Sequence, residues 1–493
     1  MTAGSCKPGL QRSAATPTNE RNTTMRPRNF KPFRRLVTFL AVFCLVIAAC
    51  GNDDDSADDP SPAVQATAAA TAAATAAPAS KPAATAEPAE EVSEPAPRTE
   101  EITIGAISTL DGPFAGLGDF SMHGVKLALL EWGGQLDGSG TRDGVSGASV
   151  AGVPIRLVIE GSDATPDVAV EATRKMVEQD NADIIIGPLS GDEGLALKDY
   201  IRDIPEVTLV NGTSASQDLT LRDPAPNVFR FGADGAMWSY GMGTYAYEEL
   251  GHRRIATIAE DYSYPYDQVG AVLTEFCAAG GTVTDRIWVP LGTQDYSSFI
   301  AQIPDDVDAV FFAMGGTDAI NFVKQYDDFT GQVIPLIAGP TAVDQSVLTE
   351  LGDRAEGLIS SGPVVDDSGL ADFDAFAARL DEVFPGQTPN IFNVYYYVAT
   401  KSALAVLEAV GGDLTDGSQA FQAALAELRW DTPIGPVYLD DNRQAVVDIY
   451  LREVQDGALV TIDTLPQVNG TLGFDRDEYI AKGSFSRDNP PCG

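Results

Sequence analysis

Two clusters of hydroxyl-bearing residues follow predicted buried strands and could bind an anion. Ser190-Gly191-Asp192 comes after the apolar run Ile184-Ile185-Ile186, and Thr213-Ser214-Ala215-Ser216 comes after the predicted strand over residues 207–210. In open α/β sheets ligands bind beyond the carboxyl ends of the strands, where helix N-termini present amide N–H groups that lack a partner. Hydroxyls and such amides can hold a carboxylate without a buried cation. The same residue types are ordinary helix N-caps, and one residue can cap and bind at once.

Residues suited to catalysis are scarce. The chain has two histidines, His123 and His252, and no Gly-x-Ser-x-Gly, Walker or Cys-x-x-Cys motif, which leaves few ways to build a nucleophilic triad or a His-rich metal site. Residues 137–144 alternate oxygen-bearing side chains like a calcium loop, but Arg142 stands where glycine is needed and no terminal Glu follows, so a surface loop is favoured. We predict a protein that is not an enzyme and holds no cofactor or metal.

The charge of the chain excludes one class of partner. The 493 residues include 71 Asp and Glu against 32 Lys and Arg, a formal charge of −39. Recognition of nucleic acid depends on Lys and Arg at the phosphates, so we expect no nucleic acid partner. With 44% apolar residues the chain can form a sizeable core, and its length suggests about two or three domains.

The N-terminal residues have the pattern of an export signal. Arg34-Arg35 precede an apolar run over residues 36–49, which is too short to cross a bilayer comfortably as a helix. Small residues then lead into Cys50, which resembles the lipobox of bacterial lipoproteins, whose cysteine is acylated after cleavage. We predict that residues 1–49 are a lipoprotein signal segment and that Cys50 carries lipid, with a short buried helix as the alternative. Met1 and Met25 are both possible starts.

Residues 50–100 are acidic and then rich in Ala, Thr and Pro, with almost no large apolar side chain. Such a composition cannot build a core, so we predict a disordered tether between the lipid and a folded body. Cys6 and Cys44 fall in the removed segment, which leaves Cys277 and Cys492 available outside the cytoplasm. We expect these two to form a disulfide, with two unpaired buried thiols as the alternative.

Strand and helix patterns alternate along the folded body. Strand–loop–helix units recur from residues 102–107 to residue 229. A second set of such units runs from a helix over residues 237–250 to a strand at 333–338. Late helices and a hairpin at 435–454 follow it. Alternation with near-continuous apolar strands is typical of parallel sheets covered on both faces. We predict an α/β fold of two doubly wound parallel-sheet lobes joined by a three-stranded hinge, with lobe 1 in residues 101–229 and 357–445 and lobe 2 in residues 230–356 and 446–493.

Several short motifs follow one another along this body: Ile104-Gly105-Ala106, Asp111-Gly112-Pro113-Phe114-Ala115-Gly116-Leu117-Gly118, Ile186-Gly187-Pro188-Leu189-Ser190, Asn211-Gly212-Thr213-Ser214-Ala215-Ser216, Asp261-Tyr262-Ser263-Tyr264 and Gly357-Leu358. In order and spacing they resemble the type I periplasmic binding proteins, and within them the branched-chain amino-acid-binding family of ABC importers, over about residues 101–493. The resemblance implies a ligand held between closing lobes, against hydroxyl-bearing turns of lobe 1 and an aromatic wall at Tyr264, which Tyr262 and Tyr266 could share. The implied ligand-binding residues are Ser190, Gly191, Thr213, Ser214, Ala215, Ser216, Tyr264, Gly316 and Thr341.

Three positions depart from the amino-acid binders of that family. Those proteins carry a carboxylate after the Gly-Pro of the last second-lobe strand, which neutralises the ligand's ammonium group, whereas here Gly339-Pro340 is followed by Thr341. Gly191 stands where a second serine is common, and Leu117 stands where an aromatic residue often lies. A buried ammonium without an opposing charge is strongly disfavoured. Either the ligand has no ammonium, or one of three other carboxylates takes the role: Asp318, Asp261 or Asp344.

The sequence therefore predicts an extracytoplasmic solute-binding lipoprotein of an ABC importer, anchored to the cell membrane and monomeric. We expect it to bind a branched-chain amino acid or a related small carboxylate or amide and to present its closed form to the ABC permease subunits. A sensor that signals to a membrane receptor would use the same fold and the same pocket. The sequence does not separate these two functions.

Overall fold

The computed structural model describes residues 100–489 and 491–492. Its strands are β1 Ile102–Thr109, β2 Gln135–Leu136, β3 Val145–Ser146, β4 Ser149–Val150, β5 Val153–Ser162, β6 Ile184–Ile186, β7 Thr208–Val210, β8 Val228–Phe229, β9 Arg254–Glu260, β10 Thr282–Val289, β11 Ala309–Ala313, β12 Leu336–Ala338, β13 Ile359–Gly362, β14 Arg429–Thr432, β15 Gly435–Leu439, β16 Ala445–Gln455 and β17 Ala458–Val468. Its α-helices are α1 Ala115–Glu131, α2 Pro166–Glu178, α3 Gly191–Arg202, α4 Gly235–Trp238, α5 Met242–Glu248, α6 Ser263–Ala278, α7 Ser297–Ile300, α8 Gly316–Thr330, α9 Gln345–Leu351, α10 Ala371–Val383, α11 Ile391–Ala409, α12 Gln419–Glu427 and α13 Arg476–Ala481.

The first lobe is built on a six-stranded sheet in the order β4-β5-β1-β6-β7-β8, in which all strands from β5 to β8 run parallel. Helices α1 and α11 pack together on one face, and α2 and α3 pack together on the other. Strands β1, β6 and β7 are fully buried because both faces are covered, which explains why they lack the alternation of apolar and charged residues seen in one-sided sheets. The late helices thus return to the first lobe.

The second lobe is built on a nine-stranded mixed sheet. Strands β10, β9, β11, β12 and β13 run parallel, and the antiparallel strands β16 and β17 follow. Strands β15 and β14 extend this sheet across the hinge and pack against helices α12 and α10 of the first lobe. A separate apolar core lies between this sheet and helices α8 and α9. The α/β class and the two-lobed arrangement predicted from the sequence are confirmed.

The chain passes between the lobes three times. The first passage follows β8, the second follows β13, and the third runs through β16, which starts beside β15 and ends beside β13. At the junction the Arg230 amide donates to the Arg443 carbonyl at 3.0 Å, and the Ala445 amide donates to the Arg230 carbonyl at 2.8 Å. The first and third passages therefore form one hydrogen-bonded hinge.

Two details differ from the sequence-based expectation. Strand β13 falls in the segment assigned to lobe 1, but it pairs in parallel with β12 in the second sheet, because Ile359 is in register with Ile337. The continuous helix expected over residues 237–250 is divided into α4 and α5. Gly241 interrupts it with φ +82°, a left-handed conformation that a helix cannot contain.

The two ends of the chain differ in how much of them the structure describes. The predicted signal segment, Cys50 and residues 50–99 of the predicted tether lie outside the described residues. At the other end the structure joins Cys277 of α6 to Cys492 in a disulfide. Within residues 100–489 and 491–492, no helix combines the length and the hydropathy that a membrane span requires.

Candidate functional site

A cavity of about 330 Å³, counted together with the open space at its mouth, lies between the lobes. None of its lining side chains carries a charge, and most are aromatic or aliphatic. The lining residues are Phe114, Leu117, Leu189, Ser190, Gly191, Thr213, Ala215, Trp238, Tyr262, Tyr264, Gly315, Thr341 and Phe392.

The first-lobe wall is formed by the loops that follow β6 and β7. The amides of Thr213 and Ser214 both donate to the Pro188 carbonyl, at 3.2 and 3.0 Å, which ties the two loops together. The hydroxyl oxygen of Thr213 is buried and has no partner, so it is available to a bound molecule. Helix α3 begins at this wall, with Ser190 as its N-cap. Its first-turn amides have no acceptor within the helix, which favours an anionic group here.

Two amides at this helix start are already used. In the capping box of helix α3 the Ser190 hydroxyl accepts from the Glu193 amide. The Ser190 N–H donates to a carboxyl oxygen of Glu193 at 3.0 Å. Glu193 is fully buried and also accepts from Thr109. Burial raises the pKa of Glu193 to about 7. An anion at this wall therefore depends on the other first-turn amides and on the Thr213 hydroxyl.

The second-lobe wall is a chain of neutral hydrogen bonds ending at Tyr264. The phenol oxygen of Tyr264 lies 3.1 Å from Oγ1 of Thr341 and accepts from Nε2 of Gln268 at 2.6 Å. Thr341 in turn donates to the Met314 carbonyl at 2.9 Å. The hydroxyl of Tyr264 is thus held by the protein, and its ring forms the wall of the cavity. Thr341 occupies the position at which a counter-ion for an ammonium group was expected.

Aromatic rings surround the space between these two walls. Trp238 stands edge-on to Tyr264, with ring centroids 5.4 Å apart, and its indole N–H donates to the phenol of Tyr395 at 3.1 Å. Tyr262 lies between Tyr264 and Phe114, at centroid distances of 6.1 and 6.3 Å. The cavity therefore suits a flat apolar group.

The sequence-predicted site residues divide into two sets. Six of them line the cavity: Ser190, Gly191, Thr213, Ala215, Tyr264 and Thr341. Three do not: Ser214, Ser216 and Gly316. The hydroxyl of Ser214 faces helix α3 instead, where a Cβ placed on Gly194 would lie 1.9 Å from it. Gly315 takes the lining position next to Gly316, and Leu117 lines the cavity as an aliphatic residue.

The three candidate counter-ions lie outside the cavity lining. Asp318 accepts from the Gly292 amide at 2.7 Å, Asp344 caps helix α9 through the Ser346 amide, and Asp261 pairs with Arg487 at 2.6 Å. Burial raises the pKa of Asp318 and of Asp344 to about 6.

A fourth carboxyl group, Glu260, lies behind the cavity and accepts from the Gly315 amide at 3.2 Å. Burial, together with the neighbouring Asp318, raises the pKa of Glu260 well above its usual range. Burial therefore favours the neutral form of this carboxyl group over its anion.

The lobes touch across the cleft. The Ser263 amide of lobe 2 donates to Asp192 of lobe 1 at 3.2 Å, and the Gln217 amide of lobe 1 donates to Asp267 of lobe 2 at 2.7 Å. These bonds can form only when the lobes are together, so the structure shows the closed arrangement. In the described part of the chain no group of three or more His, Cys, Asp and Glu side chains is placed to hold a metal ion.

Sequence reasoning did not find two of the ring-bearing wall residues, Trp238 and Phe392. Trp238 ends the short helix α4 just after the first passage between the lobes, and Phe392 opens helix α11 after the second. Both lie in segments whose apolar sequences are typical of helices that pack into a hydrophobic core. Only the hinge geometry brings them to the cleft.

Comparison with known proteins identifies the family to which this two-lobed fold belongs. The sequence profile of the family described as periplasmic binding protein matches residues 101–458. The Leu/Ile/Val-binding protein homolog 6 of Brucella melitensis biotype 1 is 24% identical over 361 residues, which cover 72% of this chain and 87% of that protein.

Two solved structures are similar over most of their length. An ABC transporter substrate-binding protein from Sphaerobacter thermophilus is 30% identical, with a TM-score of 0.66 over 75% of this chain and 98% of that one. A solute-binding protein of an ABC transporter from R. palustris, in complex with benzoate, is 24% identical, with a TM-score of 0.67 over 74% of this chain and 96% of that one. Together with the profile match and the two-lobed fold, these likenesses show that the chain belongs to the periplasmic binding protein family of type I, the family of ABC transporter substrate-binding proteins.

Proposed function

We propose that this protein is the lipid-anchored solute receptor of an ABC importer and that its ligand is a small apolar carboxylic acid without an ammonium group. The carboxylate would bind at the first-lobe wall, to the Thr213 hydroxyl and the first-turn amides of helix α3. The apolar part of the ligand would lie among the rings of Tyr264, Trp238, Tyr262 and Phe114. Closure of the lobes would then exclude water and present one surface to the permease.

The observation that carries this proposal is the neutral bond between Tyr264 and Thr341 at the place of the missing counter-ion. No charged side chain lines the cavity, so an ammonium group would be buried without an opposing charge. An ammonium-free acid brings one charge only, and hydroxyls and amides can hold that charge. The R. palustris protein with benzoate bound shows that this fold accommodates an acid of this kind.

A thermal-shift experiment with matched pairs of ligands tests the proposal. The pairs differ only in the α-amino group: 4-methylpentanoate against L-leucine, and 3-phenylpropanoate against L-phenylalanine, with benzoate as a compact aromatic acid. Because a ligand that binds only the folded state raises the melting temperature by mass action, we expect a shift of several degrees with at least one ammonium-free acid. A shift with the amino acids and none with their deaminated partners would overturn the ligand class.

Anchoring is proposed separately, from the sequence around Cys50. We expect mature protein expressed in a lipoprotein-processing host to begin at Cys50 and to carry acyl chains there. Intact mass spectrometry of the membrane fraction would show this, and Cys50→Ala should release the protein from that fraction. Release of the wild-type protein in the same fractionation would count against the anchor.

A further inference from the structure

The C-terminal segment from Asn469 onward, here called the C-terminal clasp, lies beyond the residues matched by the family profile, which end at 458. It follows strand β17 and contains helix α13. The structure describes it through Asn489 and again at residues 491 and 492. This segment contacts both lobes, and in each lobe it does so directly beside a ligand-facing loop.

In lobe 1 the clasp is bonded to Gln217, which immediately follows the loop of residues 213–216. Nε2 of Gln217 donates to the Gly470 carbonyl at 2.8 Å and to the phenol oxygen of Tyr479 at 3.1 Å. The backbone amide of the same residue donates to Asp267 of lobe 2. Tyr479 is 1% exposed, so this contact is an interior one.

A second bond ties the clasp to lobe 1 farther along. Arg222 donates to the Gly483 carbonyl at 2.7 Å, and its guanidinium lies 6.0 Å from the centre of the Tyr479 ring. Ser484 also donates to Asp218. The clasp therefore holds the segment 217–222 near both of its ends, at Gln217 and Asp218 and at Arg222.

In lobe 2 the clasp is bonded to Asp261, which immediately precedes Tyr262. Arg487 pairs with one carboxyl oxygen of Asp261 at 2.6 Å, and the phenol of Tyr266 donates to the other. Phe485 covers the middle of helix α6, where a Cβ on Gly270 would lie 2.3 Å from its ring. The clasp thus supports residues 261–266, here called the 261–266 loop, which comprise the end of the β9–α6 connection and the first turn of helix α6.

A disulfide bond fixes the C-terminal end of the clasp to the second lobe. Cys492 is bonded to Cys277 near the end of helix α6, and Arg286 of β10 donates to the Cys492 carbonyl at 2.9 Å. With β17 at one end and the disulfide at the other, the clasp cannot leave the surface without breaking several bonds at once. Closing both ends of a segment removes most of its conformational freedom.

We propose that the C-terminal clasp is a positioning element: it couples the 213–217 loop of lobe 1 to the 261–266 loop of lobe 2 and holds both in the closed arrangement. Its positioning residues are Gln217, Asp261 and Arg487, and the disulfide locks it. The role of these loops in binding rests on the proposed function, but the coupling itself does not need a ligand.

Hydrogen exchange measured by mass spectrometry on the full chain tests the coupling without ligand. The variants are Arg487→Ala, whose side chain is half exposed in the wild type, and the double variant C277S/C492S. The matched control is Arg476→Ala, which removes the same charge from an exposed position of the same segment. We expect exchange in the peptides covering 217–222 and 261–266 to accelerate about fivefold or more in both test variants. Helix α2, remote from the clasp, and the Arg476→Ala variant should stay at wild-type rates.

Faster exchange of the clasp alone, with both loops unchanged, would overturn the proposal, because the clasp would then only cover the surface. Acceleration everywhere, including α2, in the double variant would show general destabilisation, and the Arg487→Ala variant then decides the question. A protein that shows the expected exchange pattern but no thermal shift with any acid of the matched pairs would support the clasp and refute the proposed ligand class.

Discussion

The phenol of Tyr264 and the hydroxyl of Thr341 lie 3.1 Å apart in the wall of the cavity, and this neutral hydrogen bond stands where the sequence resemblance led us to expect a carboxylate. This hydrogen bond distinguishes the pocket from that expected of an amino-acid binder more than any sequence motif does. Gln268 and the Met314 carbonyl complete the chain, which commits both hydroxyl protons and leaves no carboxylate here to oppose an ammonium group.

Placing a carboxylate at this position should reverse the ligand preference. In Thr341→Asp we expect the affinity for the ammonium-free acids to fall at least about tenfold, because two like charges would share a poorly solvated cavity. L-Leucine should then give a thermal shift that the wild type lacks. Thr341→Asn has nearly the same shape without the charge, so it should not gain leucine binding. Unchanged acid affinity in Thr341→Asp, measured by calorimetry, would place the ligand elsewhere.

The ring of Tyr264 should matter more for binding than its hydroxyl does. We expect Tyr264→Ala to weaken acid binding by about 10- to 100-fold through loss of an aromatic wall, without unfolding the protein. Tyr264→Phe keeps the ring and should bind within about fivefold of wild type, while it loses about 1–2 kcal/mol of stability because Gln268 and Thr341 lose a partner. Tyr200→Ala on helix α3, away from the cavity, is the control. Equal affinities for Tyr264→Ala and wild type would remove this ring from the site.

Stability should be greatest in mildly acidic solution. Burial raises the pKa of Asp234 and Asp344 to about 6, and of Glu193 and Glu275 to about 7. In the unfolded chain these groups titrate near pH 4, so between about pH 4 and 7 the folded state binds more protons and the free energy of unfolding falls as the pH rises.

We therefore expect the melting temperature to be about 5 °C or more lower at pH 8 than at pH 5. Repeating the scan in 0.5 M NaCl separates this effect from repulsion among surface charges, because salt screens exposed groups and barely affects buried ones. A melting temperature that is constant or rises over this range would contradict the assignment of raised pKa values.

Two glycine substitutions should have opposite effects. A Cβ on Gly194 would lie 1.9 Å from the Ser214 hydroxyl, so Gly194→Ala should push helix α3 away from the 213–216 loop, cost about 1–3 kcal/mol and weaken ligand binding. Gly116, in the first turn of helix α1, has no atom within 4 Å of such a Cβ, so Gly116→Ala should stabilise the protein by about 0.5 kcal/mol or more. Chemical denaturation of both variants checks the pair, and equal stabilities would show that the loop tolerates the added methyl group.

Much of this architecture could be predicted because the decisive signals are local. Strand β6 and the start of helix α3 are marked by an unbroken apolar run followed by Gly, Pro and Ser, and the structure places both where the pattern indicates. Ser190, Thr213 and Tyr264 could be predicted as wall residues for the same reason, because each lies in the short segment that follows a buried strand.

What could not be predicted depends on contacts between distant parts of the chain. Strand β13 joins the second sheet through its register with β12, and nothing in its own four residues selects that sheet. Trp238 and Phe392 reach the cavity only because the hinge passages bring α4 and α11 to it. Ser214 was expected to face the ligand, but its hydroxyl lies against Gly194 of helix α3, a glycine whose missing side chain leaves the room for it.

The three passages of the chain through the hinge have a consequence for how such receptors can diversify. Because each half of the molecule is assembled from separated stretches of sequence, a single recombination event cannot exchange one intact half for that of a relative. Point substitutions in the walls, at positions such as 341, change specificity without this difficulty, because they leave the hinged scaffold intact.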